Sequence, residues 1–203
     1  MFRTPLVLLA LCVAAGCATA PRERSPLASA QIVPDFGTYS IRRVGLVPFT
    51  GSDVTGSQSA ELQGAFFSEI SASTSYEIVA LQPEDLAEIP SSDPYRRGWY
   101  RPQTIIEVSR RYQLDALLIG TVADSQYFPP QRLSVQLDMV ASETGLPVWS
   151  SSVHLDASRA AVRDSLEAWS ETRLGGEAAE WEVTLISPRR FAHFAAFQMA
   201  QML

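Results

Sequence analysis

The sequence has no lysine, no asparagine and, after position 17, no cysteine. All 16 basic residues are arginine. Because lysine and asparagine codons are AT-rich, this composition indicates a GC-rich genome and says nothing about function. Without cysteine in the rest of the chain, disulfides, thiol catalysis and cysteine metal sites are excluded there. The apolar run at the amino terminus is also shorter than the roughly 20 residues that a membrane-spanning helix needs.

The amino terminus has the pattern of an export signal. Arg3 precedes an apolar stretch over residues 5–13, which ends in the small residues Ala-Ala-Gly and then Cys17. A basic residue, a short apolar core and a small-residue cleavage site are typical of a secretory signal peptide. The four residues at 14–17 resemble the lipobox of bacterial lipoproteins. This resemblance implies that residues 1–16 are removed and that Cys17 is acylated.

Two other outcomes stay open at this terminus. Residues 18–20 form an A-x-A pattern for ordinary secretion, although Pro21 would then follow the cut bond. An uncleaved anchor is the third outcome. In a lipoprotein, several acyl chains hold the protein stably to one leaflet, and alanine rather than aspartate at position 18 implies export to the outer membrane. We therefore expect a lipid-anchored protein on the periplasmic face of the outer membrane.

The mature chain divides into a tether and one domain. Residues 17–40 carry Pro21, Pro26 and Pro34 among small and charged residues without a hydrophobic period, which predicts a flexible tether. Residues 41–203 suit a single domain with a sizeable core. The formal net charge of −6 disfavours binding to polyanions, so a nucleic-acid partner is not expected.

The hydrophobic pattern of this domain predicts an α/β (α+β) fold. Residues 115–122 form a continuous apolar run, as in a strand that is covered on both faces. Residues 132–139 alternate between apolar and polar side chains, and a Glu-Thr-Gly turn follows at 143–145. This order predicts a mixed β-sheet with a C-terminal antiparallel hairpin and helices packed on the sheet. Strands are predicted over 44–49, 76–81, 115–122, 132–139 and 146–155, and helices over 57–71, 83–89, 103–112, 158–171 and 187–202.

Two stretches resemble a superfamily of bacterial envelope proteins. The first is Val44-Gly-Leu-Val-Pro-Phe49. The second runs from Asp115 through Gly120 to the Glu-Thr-Gly turn and Trp149 on the return strand. Both are similar to stretches of the curli secretion channel lipoprotein, the exopolysaccharide-export ring lipoprotein, the lipoprotein activators of penicillin-binding proteins and the amino-terminal domain of the Tol–Pal translocation protein. The resemblance implies a shared fold with divergent roles, no family catalytic site, and ring formation by some members.

The sequence contains no recognised catalytic or metal-binding motif. His154 and His193 stand in no His-x-x-x-His or Glu-x-x-His pattern, and no Gly-x-Ser-x-Gly turn is present. The loop at 51–56 lacks the Gly-Lys-Ser/Thr ending of a phosphate loop. His154 is expected on the polar face of the return strand, solvated or hydrogen-bonded rather than catalytic. We predict a non-enzymatic chain without cofactor or metal, with an envelope hydrolase as an alternative.

The aromatic–arginine loop, residues 93–102, and the last predicted helix, residues 187–202, supply candidate partner-binding residues. Interface hot spots are enriched in Trp, Tyr and Arg, and such residues also stack on sugars. The loop could instead pack on its own domain, and the phenylalanine on the polar arc of the last helix could be buried within the chain. The candidates are Tyr95, Arg96, Arg97, Trp99, Tyr100, Arg101 and Phe197.

From these features we expect an assembly, scaffold or activator module of an envelope or export machine. Its partners would be the membrane, through the lipid, and an envelope protein or further copies of the chain. The alternative is a lipoprotein that binds peptidoglycan or exported polysaccharide through the aromatic–arginine loop.

Overall fold

A six-stranded mixed sheet organises the chain. The structure, a computed structural model, describes residues 26–86, 101–173 and 180–203. The strand order is β1-β6-β5-β4-β2-β3, with β2, β3 and β4 parallel and the remaining neighbours antiparallel. The predicted fold class, with its C-terminal antiparallel hairpin, is confirmed. The strands are β1 Ala28–Ile32, β2 Arg43–Leu46, β3 Glu77–Ala80, β4 Ala116–Gln126, β5 Arg132–Ala141 and β6 Pro147–Asp156.

Two of the described helices, α1 and α5, begin at side-chain caps. The Thr55 side chain and Gln58 form a capping box at the start of α1, and the Ser187 side chain accepts from the Arg190 N–H at the start of α5. The predicted helix over 83–89 is a single 3₁₀ turn, Pro83–Leu86, as far as the described residues reach. The helices are α1 Gly56–Ser73, α2 Pro102–Tyr112, α3 Ala160–Arg173, α4 Glu180–Thr184 and α5 Pro188–Ala200.

The main core lies on one face of the sheet, beneath α1, α3 and α5. Phe66 and Phe194 are fully buried there against Leu118 and Met139 of the sheet. The indole N–H of Trp149 donates to a backbone carbonyl beyond the end of α5 over 2.9 Å. Burying a large apolar side chain contributes about 1.5–3 kcal/mol, and this face holds most of the buried apolar side chains among the described residues.

The other face carries a smaller core. Ile105 and Val108 of α2 pack on Leu117 and Ile119 of β4 and on Val140 of β5. Farther along the sheet, the same face of β5, β6 and β1 carries exposed or half-buried polar side chains. These are Ser29, Gln31, Ser134, Gln136, Ser150, Ser152 and His154. The alternating strand predicted over 132–139 therefore has a wet face, as expected.

The prediction of a flexible tether over residues 17–40 is wrong for its second half. Residues 28–32 form β1, with Ala28 opposite Val153 and Ile32 opposite Trp149 of β6. A 3₁₀ turn, Phe36–Tyr39, follows. Apart from Ile32, the short edge strand contains only small and polar residues, so its sequence gives little hydrophobic signal. The predicted signal peptide and Cys17 lie outside the described residues.

The sheet has two distinct ends. At the loop end, the loop of residues 127–131 joins β4 to β5, with Gln126 opposite Arg132 and Arg132 opposite Asp156. At the turn end, residues 142–146 join β5 to β6. Because β1 is antiparallel to β6, its amino-terminal residue Ala28 lies toward the loop end. Among the described helices, none combines the length and apolar character needed to cross a bilayer.

Candidate functional site

An open groove of about 670 Å³ lies at the turn end of the sheet. Its walls come from the segment before β2, from the carboxyl end of α2 and from the β5–β6 turn. The groove therefore assembles residues that are distant in the sequence. The lining residues are Tyr39, Ser40, Ile106, Ser109, Arg110, Gln113, Leu114, Asp115, Ser142 and Glu143.

Asp115 fixes one wall of the groove. One of its carboxylate oxygens, Oδ2, accepts from the backbone N–H groups of Arg42 and Arg43, each over 2.9 Å. Its own backbone N–H donates to the carbonyl of Arg43 over 2.8 Å. The aspartate that opens the superfamily-like segment therefore joins the starts of β4 and β2, which is a structural task.

A pair of serines fixes the opposite wall. The Ser142 hydroxyl lies 2.7 Å from the hydroxyl of Ser109, which is almost fully buried on α2. The Ser142 backbone N–H donates to the carbonyl of Asp115 over 2.9 Å. These bonds tie the β5–β6 turn to α2 and to the start of β4, so they fix the position of this wall of the groove.

Two groove residues hold left-handed backbone conformations. Ser40 has φ 47° and Gln113 has φ 54°, and they are the non-glycine residues with positive φ in the described part of the chain. Gln113 caps the carboxyl end of α2, where glycine is usual. A left-handed residue other than glycine costs roughly 1–2 kcal/mol, and such strain concentrates at functional sites. Both strained positions line the same groove, which makes it the leading candidate site.

The chemistry of the groove is polar and mixed in charge. Arg110 offers a cation, Glu143 offers an anion, and serine hydroxyls and the Gln113 amide offer neutral hydrogen-bonding groups. Within residues 26–86, 101–173 and 180–203, no cluster of three His, Cys, Asp or Glu side chains could hold a metal ion. The arrangement suits recognition of a polar segment of a partner.

A second, smaller hollow of about 290 Å³ lies over the polar face of β1 and β6. Beside it, Asp138 of β5 is buried and accepts from the Ser150 hydroxyl over 2.5 Å and from the Gln136 amide over 3.0 Å. Farther along this face, His154 Nδ1 is hydrogen-bonded to the Ser134 hydroxyl across β5 and β6. The prediction of a solvated or hydrogen-bonded histidine on the polar strand face is confirmed.

Phe197 lies in a junction of three helices. Its ring centroid is 6.5 Å from that of Trp169, and the Arg173 guanidinium lies 5.1 Å above the ring. Beside it, Glu69 of α1 contacts Arg173 over 3.3 Å and His193 over 3.2 Å. Phe197 is thus half-buried among residues of its own chain. Its role in partner binding stays a prediction.

Most candidates of the aromatic–arginine loop lie outside the described residues. These are Tyr95, Arg96, Arg97, Trp99 and Tyr100. Arg101 is described. It is exposed and stands at the N-cap of α2. Because α2 and α5 pack on opposite faces of the sheet, Arg101 and Phe197 do not belong to one site.

The sequence did not identify the groove. Ser40 and Gln113 have no side-chain chemistry that marks them, and their left-handed backbone is visible only in the fold. One sequence feature could have indicated its position. Asp115 opens one strand of an antiparallel pair and the Glu-Thr-Gly turn follows the other, so the start of β4 and the end of β5 must lie side by side.

No protein-family model and no curated protein matches the sequence. Among solved structures, the fold is similar to the PelC dodecamer from Paraburkholderia phytofirmans, with 9% identity over 83% of this chain and 96% of that chain and a TM-score of 0.44. It is also similar to lipoprotein GNA1162 from Neisseria meningitidis, with 17% identity, 66% and 96% coverage and a TM-score of 0.41. For the LpoB C-terminal domain from Escherichia coli, the values are 11% identity, 61% and 93% coverage and a TM-score of 0.40. These values describe a partial likeness of folds and carry no functional assignment, so membership of the superfamily that the motifs resemble stays a prediction.

Proposed function

We propose that the chain is a non-enzymatic assembly, scaffold or activator module of a bacterial envelope machine, held to the outer membrane by lipid on Cys17. The observation that carries the proposal is the apolar run that ends in Ala-Ala-Gly-Cys at residues 14–17. A short apolar core before a small-residue cleavage site directs export, and two or more acyl chains hold a protein stably to a leaflet.

The polar groove supports the proposal that the chain is an assembly, scaffold or activator module that binds a partner. It opens at the turn end, whereas the amino-terminal segment joins the sheet toward the loop end. A partner could therefore reach the groove while the lipid stays in the membrane. The walls of the groove are held in place by the hydrogen bonds of Asp115 and Ser142, which suits a protein contact that needs little rearrangement.

Mass spectrometry of the mature amino terminus tests the anchor. The expected result is an acylated chain that begins at Cys17 and that fails to mature when cells are treated with globomycin. A mature chain that begins at Pro21 without acyl mass would remove the membrane anchor from this proposal.

Site-specific photocrosslinking in cells tests the groove. A benzoylphenylalanine at position 39, in the groove wall, should form an adduct with an envelope protein or with a second copy of the chain. The same probe at position 167, on the exposed side of α3, is the matched control. Adducts from both positions, or from neither, would argue against the groove. Alanine substitution at Trp99 or Phe197 tests those separate candidates. Each should reduce self-association or partner capture while the domain stays folded, since truncating an interface aromatic typically costs about 2 kcal/mol or more.

The second candidate function is glycan binding, and the polar hollow over β1 and β6 favours it. Serine hydroxyls and glutamine amides line this hollow, and such groups can hydrogen-bond sugar hydroxyls. Retention of the purified protein on sacculi, lost in Gln136→Leu and kept in Gln113→Leu, would support this function. Absence of retention would leave the scaffold proposal.

A further inference from the structure

Exposed apolar side chains collect at the loop end of the sheet. Phe128, between β4 and β5, is 81% exposed, and Ile186, which follows α4, is 64% exposed. They are the two most exposed large apolar side chains among the described residues. The side-chain amide of Gln131 donates to the carbonyl of Leu185 over 2.9 Å, which holds the two segments together. One exposed apolar residue is ordinary, but here two neighbouring segments each present one.

Both of these segments are uncharged. Residues 127–131 read Tyr-Phe-Pro-Pro-Gln, and residues 183–188 read Val-Thr-Leu-Ile-Ser-Pro. The chain as a whole carries a net charge of −6, so attraction to anionic headgroups would not draw it to a membrane. An uncharged apolar projection suits shallow contact with the boundary between headgroups and acyl chains.

The amino-terminal segment reaches the fold toward this same end. Ala28 is opposite Val153 of β6, and β6 ends at Asp156, opposite Arg132 at the base of the loop. Residues 18–27 separate Cys17 from β1. Ten residues span at most about 35 Å when extended, and about 15–20 Å on average as a flexible coil. A lipid on Cys17 would therefore keep the loop end near the bilayer.

We propose that Phe128 and Ile186 contact the bilayer surface beside the lipid anchor. The domain then has a fixed orientation, with its loop end on the membrane and the polar groove facing away. This inference rests on the proposed acylation of Cys17. The occupant of the apolar surface is the bilayer rather than a second copy, because the anchor brings lipid to this end of every molecule.

The cysteine content of the chain allows a direct test. Cys12 is removed with the signal peptide, acylation blocks the thiol of Cys17, and no other cysteine exists. Phe128→Cys in the full lipoprotein therefore provides one reactive thiol for an environment-sensitive fluorophore. Leu146→Cys is the matched control, because Leu146 is also an exposed apolar side chain (56%) but lies at the turn end. Each labelled lipoprotein is reconstituted in phosphatidylcholine vesicles that contain a lipid-borne quencher.

The expected result is a blue shift and loss of emission at position 128, with neither change at position 146. A label at 128 that aqueous iodide quenches equally with and without vesicles would overturn the proposal, and so would lipid quenching at 146. A blue shift that depends on protein concentration and ignores the lipid quencher would identify a second copy as the occupant and also overturn it. Failure of acylation is seen separately, as a chain that lacks acyl mass and does not float with vesicles, and it removes the premise of both proposals.

Discussion

The ring of Phe49 occupies the space that a side chain at position 120 would need. A Cβ atom on Gly120 would lie 2.6 Å from Cζ of Phe49, with other ring atoms nearer still. Phe49 is itself buried, with its ring centroid 4.7 Å from that of Phe66. Phe49, which follows β2, therefore packs directly against the backbone of Gly120 in β4.

Gly120→Ala should lower the free energy of unfolding by about 1–3 kcal/mol, because a methyl group there forces the buried Phe49 ring to move. Gly64→Ala is the control, since Gly64 lies in α1 with open space around its Cβ position. It should raise the free energy of unfolding by about 0.5–1 kcal/mol through helix propensity. Urea unfolding of both variants measures the difference, and equal effects would contradict the contact.

Asp115→Ala should destabilise the fold by about 1–2 kcal/mol, because it removes the acceptor of two backbone N–H groups at the start of β2. Asp164→Ala, on an exposed side of α3, should change stability by no more than about 0.5 kcal/mol. Hydrogen exchange at Arg42 and Arg43 should rise in the first variant alone. Unchanged exchange at both amides would show that the carboxylate does not hold β2.

Gln113→Gly should stabilise the protein by about 0.5–1 kcal/mol, because glycine adopts positive φ without the steric cost of a side chain. Gln113→Ala keeps that cost and should not stabilise. If the left-handed backbone at Gln113 positions the groove for its partner, the glycine variant should also give a weaker photocrosslink from position 39, despite its higher melting temperature. A glycine variant no more stable than the alanine variant would show that the left-handed backbone carries no strain.

Stability should fall at low pH partly through Asp156. Hydrogen bonds from the Ser158 hydroxyl and then from its backbone N–H lower the pKa of Asp156 below its ordinary 3.8. The folded chain therefore binds this proton less readily than the unfolded chain. The contribution is complete above the unfolded pKa and is lost as the pH falls through the lower, folded pKa.

Asp156→Asn should thus be less stable than the parent at pH 7, and the difference should shrink as the pH is taken below the ordinary pKa of 3.8. Thermal unfolding over a pH series measures this. Ser158→Ala removes the same hydroxyl donor and should show a pH dependence of the same sign. A pH-independent difference for Asp156→Asn would mean that the effect comes from packing and not from ionisation.

The sequence predicted strands and helices best where buried and exposed side chains follow a regular period. The apolar run at 115–122 and the alternation at 132–139 gave β4 and β5 to within a few residues at their amino-terminal ends, and Ser187 with Pro188 gave the start of α5. These features depend on local patterns that survive in a single sequence. The carboxyl end of β4 was underestimated because it continues to Gln126 through polar residues.

Contacts between residues that are far apart in the sequence could not be predicted from local patterns. β1 exists because residues 28–32 pair with β6, more than a hundred positions later, and its own side chains hardly predict a strand. The groove depends on the backbone of Ser40 and Gln113, which no propensity indicates. The loop-end surface required the strand register, since Phe128 and Ile186 are far apart in sequence.

The edge position of β1 has a mechanical consequence. A pull on the amino-terminal segment reaches the sheet at Ala28 and acts along the axis of the strand, because the chain continues from the opposite end at Ile32. The five residue pairs between β1 and β6 then resist together, in shear, instead of opening one after another as they would under a sideways load. We therefore expect β1 to withstand tension along its axis far better than an edge strand that is loaded sideways and peeled from one end.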